Sequence, residues 1–95
     1  MYNKEVLEAI RKCSELLHKA IKEYFVNLKI DKVELDNCEF LSYTIEGDRD
    51  ELWVTSVFLK DNDVWVEYDS DMGGTNTCPL SCFDVTQLYA IYEAM

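Results

Sequence analysis

The chain has three glycines, one proline and one histidine, and beyond residue 32 it has two basic residues, Arg49 and Lys60. Each shortage removes a class of chemistry. A single histidine leaves no second imidazole for a dyad. On a helix turning ~100° per residue, Cys13 and His18 stand roughly 140° apart, so the two do not chelate one ion. No serine or cysteine with a histidine on its own face can be assembled into a nucleophilic centre. The one adjacent glycine pair, Gly73 and Gly74, is followed by TNTCP with no lysine, which excludes a phosphate-cradling loop. No stretch approaches the ~18 apolar residues of a membrane span. The first segment, MYNKEVLEAIRKC, interleaves charge with apolar residues instead of forming the apolar run of an export signal. A cytoplasmic chain with reduced thiols at its four cysteines is the expectation.

What the chain has in excess is negative charge. The net charge is −10 over 95 residues. Residues 1 to 32 hold seven Lys/Arg and five Asp/Glu, giving +2, whereas residues 33 to 95 hold two basic against fourteen acidic residues, giving −12. Such a field repels phosphates and attracts basic surfaces, so nucleic acid and membrane are not expected partners and a basic protein is.

With 48% hydrophobic and 13% aromatic residues, 1-95 reads as one globular α+β domain. From Lys4 to about Leu28, apolar residues at Val6, Leu7, Ile10, Cys13, Leu17, Ile21, Tyr24, Phe25 and Leu28 keep helical spacing, and Asn3 is the candidate N-cap. Period-two alternation then takes over. Leu41, Tyr43 and Ile45 alternate with polar residues, LWVTSVFLK is β-branched and aromatic, and VWVEY follows after DND, all of it strand-like. Residues 70 to 80 read as a turn. Ser81 and Asp84 then suggest a capping box opening a second helix striped by Val85, Leu88, Ile91, Tyr92 and Met95. The predicted order is α-β-β-β-α: a three-stranded antiparallel meander with a long N-terminal and a short C-terminal helix packed on it. In topology alone this resembles double-stranded RNA-binding domains. Those meet phosphates with lysines at the start of the second helix, where this chain has SCFDV, and no function carries over.

Two motifs in YDSDMGGTNTCPLSCFD fall short of chemistry. Asp69, Asp71 and Gly74 match positions one, three and six of an EF-hand loop, but Gly73 and Leu80 stand where an Asp or Asn and the closing Glu are needed. Cys78 and Cys82 are spaced CxxxC, one residue longer than the oxidoreductase motif. No catalytic residue, cofactor or metal ligand is therefore expected, and the chain does not read as an enzyme.

The remaining candidates are surface features. An up-down-up meander brings Asp48, Asp50 and Glu51 to the same end of the sheet as Asp69 and Asp71. A two-residue turn at Asp61–Asn62 pairs Lys60 with Asp63, Leu59 with Val64 and Phe58 with Trp65. That register is expected to bury Trp53, Val57, Leu59, Val64, Val66 and Tyr68 with Leu41, Tyr43 and Ile45, and to align Phe40, Phe58 and Trp65 in an aromatic row on the opposite face. These residues make a small acidic interaction module, acting as an inhibitor, an immunity-type protein or a nucleic-acid mimic, the leading expectation. The second is an assembly protein that homodimerises through an apolar sheet face.

Overall fold

The computed structural model describes residues 3–43, 47, 49–71 and 73–95. It is an α+β structure in the order α1 (Lys4–Leu28), β1 (Lys32–Tyr43), β2 (Arg49–Lys60), β3 (Asp63–Ser70), β4 (Gly74–Pro79), a 3-10 turn (Leu80–Cys82) and α2 (Val85–Ala94). The four strands form one antiparallel sheet in sequence order. The sequence pattern predicts three. The difference is β4, in a segment whose Gly, Asn and Pro content reads as a loop: only Gly74 uses its freedom, at φ +71°, and the chain then runs extended as GTNTCP along β3. Thr75 and Thr77 are β-branched and suit a strand, and Pro79, which has no N–H to give a ladder, sits at its end on the sheet edge. The fourth strand also departs from the α-β-β-β-α order of the RNA-binding domains.

α1 begins where expected. The Asn3 side chain accepts the N–H of Glu5 at 2.8 Å. The helix ends at Lys29, whose left-handed backbone (φ 56°) lets its own N–H and that of Ile30 both reach the Phe25 carbonyl, a common way of closing a helix. The β2–β3 hairpin is also as read. Asp61 and Asn62 both adopt positive φ (53° and 63°), as a primed two-residue turn requires. Lys60, Leu59 and Phe58 pair with Asp63, Val64 and Trp65.

α2 starts three residues later than expected. Its N-cap is Asp84, which accepts the Gln87 N–H at 2.9 Å while the Gln87 side chain returns to the Asp84 N–H at 3.0 Å, a reciprocal capping box. Ser81 lies instead in the 3-10 turn. Phe83 accounts for the delay: held extended at φ −102° and ψ 144°, it turns its ring into the core edge-on against Phe40 and Tyr68, at centroid distances of 5.9 and 6.2 Å.

Both helices cover one face of the sheet. The core between the layers joins Ile21 and Phe25 of α1, Leu88 and Ile91 of α2, Leu35 and Cys38 of β1, Val54 and Val57 of β2, and Val64 and Val66 of β3, sealed by Leu80 and Phe83. Fully burying a side chain such as Phe25 or Ile91 contributes about 1.5–3 kcal/mol relative to leaving it in water. No helix among the described residues is long and apolar enough to cross a membrane.

Candidate interaction surface

Two register irregularities decide which side chains the open face of the sheet carries. β2 has a bulge between Val54 and Ser56, so its first half buries even-numbered Leu52 and Val54 whereas its second half buries odd-numbered Val57, the inversion that one extra residue imposes. β1 shifts between Glu34 and Cys38, burying odd-numbered Leu35 as the shift begins and even-numbered Cys38 where pairing resumes. A single phase along each strand, as the alternation suggests, therefore gives the wrong face for several residues. Trp53 alternates with Leu52 and Val54 and so lies on the open side, not in the core. Leu41 is likewise on the open side and 45% exposed. Ile45 and the side chain of Tyr43 lie outside the described residues.

The expected aromatic row is reduced to two rings. Phe58 and Trp65 are partners across β2 and β3, extended by Lys32 on β1 and Pro79 on β4. The Lys60 ammonium stands 5.1 Å from the Trp65 ring centroid, within reach of the ring's negative face. Phe40 is not in that row. The β1 shift pairs it with Leu52 and turns it to the helix side, where it meets Phe83.

The row that sequence reasoning missed runs across all four strands nearer the acidic end: Glu39, Trp53, Asp69 and Thr75 are successive cross-strand partners. The Trp53 indole N–H donates to Glu39 Oε2 at 2.7 Å and the Thr75 hydroxyl donates to Asp69 Oδ1 at 2.7 Å. Trp53 is thus an indole with a carboxylate on each side. Beside this row Glu67 takes the Thr55 hydroxyl at 3.2 Å, and Glu51 lies 3.5 Å from the Arg49 guanidinium. The signal that could have located this row is the bulge, which no periodicity exposes.

The carboxylates expected at one end of the sheet divide between its faces. Glu51 and Asp69 belong to the open face. Asp50 points to the helix side, where both its oxygens accept from the Ser70 hydroxyl at 3.0 and 2.8 Å, and the same hydroxyl accepts the Gly73 N–H. Asp71 is exposed just past β3, its N–H bonded to the Glu51 carbonyl. Asp48 lies outside the described residues. No group of three or more His, Cys, Asp or Glu among the described residues is arranged to hold a metal ion.

The thiols Cys78 and Cys82 are both free. Burial, with the neighbouring Cys82 adding to it, pushes the Cys78 thiol up to about 12. That is the reverse of an activated thiolate, and Cys82 belongs to the 3-10 turn, ahead of α2, instead of to a helical first turn. Burial, then Cys78, Cys82 and Asp50, raises the Tyr68 phenol as well. No protein-family model, curated protein or solved structure matches this chain.

Proposed function

We propose that this protein is a small, non-enzymatic acidic interaction module that docks the open face of its sheet on a basic surface of another protein. One observation carries the reading: the row Glu39–Trp53–Asp69, in which an indole lies between two carboxylates on a face that neither helix covers. A guanidinium stacks on an indole and pairs with a carboxylate in the same plane, so this row suits an arginine presented by the partner. Glu51 and Glu67 enlarge the negative field around it, which steers encounter with a basic surface. Inhibitors, immunity-type proteins and nucleic-acid mimics all act in this manner. Duplex or single-stranded nucleic acid meets only repulsion on this face.

The same charges argue against self-pairing of the open face, because two copies would set Glu39, Glu51, Glu67 and Asp69 against their own kind. The test is capture from the source cell at low and high salt with wild-type protein and with Trp53→Ala and Asp69→Lys, followed by measurement of the captured protein's affinity for each. A basic partner released by salt, bound at least tenfold more weakly by both variants, supports the reading. A partner whose binding is indifferent to both variants and to salt refutes it.

A further inference from the structure

Directly beside the Trp53 row lies a second row of similar build. Glu34, Ser56, Glu67 and Thr77 are successive cross-strand partners over β1, β2, β3 and β4. Along β3, Glu67 alternates with the core residue Val66, as Trp65 and Asp69 do, so this row also belongs to the open face. A carboxylate again stands on each side of a β2 residue. Ser56 is only 2% exposed although neither helix covers this face, and its hydroxyl has no hydrogen-bond partner among the described residues. A buried hydroxyl without a partner is uncommon and calls for a reason. The carboxylates lack partners as well. The salt bridges among the described residues are Lys19–Glu23 and Arg49–Glu51, which leaves Glu34, Glu39, Glu67 and Asp69 without a cation.

We infer that the docked partner presents two cations about 7 Å apart, an arginine for the Trp53 row and a lysine whose ammonium enters the Ser56 row between Glu34 and Glu67. The inference rests on the docking of a basic surface proposed above and names the chemistry of what docks. The spacing comes from β3, where Asp69 and Glu67 are two residues apart on a strand that pairs with β4 in unbroken register. The choice of cation comes from the β2 residue of each row. An indole offers a flat face, which suits a planar guanidinium. A serine between two carboxylates offers a small oxygen instead, and a compact ammonium with three donors can meet Ser56 Oγ, Glu34 and Glu67 together. The ammonium gives both carboxylates a counter-charge and the orphan hydroxyl oxygen a donor. A third cation has no place beyond these two. The next row sets Lys32 and Pro79 beside Phe58 and Trp65, with the Lys60 ammonium 5.1 Å from the Trp65 ring centroid, and these lysines repel further positive charge.

Nuclear magnetic resonance titration of the isotope-labelled protein with capped peptides tests it. The probes are Thr-Arg-Thr-Lys-Thr, the same peptide with norleucine in place of lysine, and Thr-Arg-Lys-Thr-Thr, whose two cations point to opposite sides of an extended chain. All three are expected to move the Trp53 indole N–H resonance. The spaced peptide is expected to bind about tenfold more tightly than the other two, the gain that a hydrogen bond to a charged group supplies. That advantage should disappear in Ser56→Ala and in Glu34→Gln. The first removes an unpartnered hydroxyl and the second alters an exposed side chain, so both variants keep the wild-type spectrum elsewhere. Binding through arginine with no gain from the spaced lysine, or with an equal gain from the adjacent one, overturns the inference and leaves docking on the Trp53 row standing. A gain that survives both substitutions overturns it too, because the ammonium then lies elsewhere. Peptides that leave the Trp53 indole unmoved overturn both readings.

Discussion

At the scale of single residues, the four cysteines separate into two classes. Cys13 and Cys82 are exposed, Cys38 is buried, and Cys78 is half-buried. Burial moves the Cys38 thiol up to about 11 and, with Cys82 beside it, the Cys78 thiol up to about 12, from an ordinary 9.0. Thiolate is the reactive form, so an aromatic disulfide reagent at mildly alkaline pH is expected to titrate two thiols fast and two slowly. Equal rates at all four would contradict the burial pattern. The same shifts set a pH dependence. Between 9 and about 11 the unfolded chain releases protons that the folded chain keeps at Cys38 and Cys78, so stability is complete below pH 9 and falls as pH rises through that window. Urea melts at pH 8 and pH 10 are expected to show the loss, reduced in Cys38→Ala; stability that rises with pH would have the wrong sign. Lys29 supplies a backbone case. Its φ of 56° is a left-handed conformation that costs an L-residue what glycine does not lose. Lys29→Gly is therefore expected to stabilise by about 0.5–1 kcal/mol in thermal or urea melts.

At the scale of elements, the two halves of α1 differ in how much the fold depends on them. Phe25 packs in the core with Ile21, Val64 and Ile91. Phe25→Ala opens a cavity there and is expected to cost about 3–5 kcal/mol. Leu7 is exposed. Leu7→Ala is expected to change a dilute, monomeric sample by no more than about 0.5 kcal/mol. Asp84→Ala removes the reciprocal cap of α2 and is expected to cost about 1 kcal/mol. Equal costs for Phe25→Ala and Leu7→Ala in urea melts would mean that the N-terminal turns are packed after all. What was legible in the sequence follows the same division between local and non-local causes. The Asn3 cap, the α1 stripe and the Asp61–Asn62 hairpin are settled within a few residues, and the chain states them directly. β4 was hidden because GTNTCP is an edge strand with little apolar surface, held by pairing to β3 and not by alternation. The start of α2 moved from Ser81 to Asp84 because Phe83 has to reach Phe40 and Tyr68, a demand visible only once the sheet exists. The candidate surface suffered most. One extra residue near Thr55 inverts every side chain on one side of it, which exchanged Trp53 between core and open face, and the β1 shift did the same to Phe40.

At the scale of the whole molecule, the fold separates its charge and its apolar surface into different territories. The helical layer is close to neutral and carries an uncovered apolar ridge; the sheet turns Glu39, Glu51, Glu67 and Asp69 outward around Trp53. A contact on the sheet should be steered by charge and weakened by salt. The docking of a basic partner on the Trp53 row, proposed above, is tested by the association rate of that partner with wild-type and Asp69→Lys protein as a function of ionic strength. A wild-type rate that falls steeply with salt, and a variant rate that is at least tenfold lower at low salt with a shallower dependence, is the expected result. Superimposable salt dependences for the two proteins would contradict it.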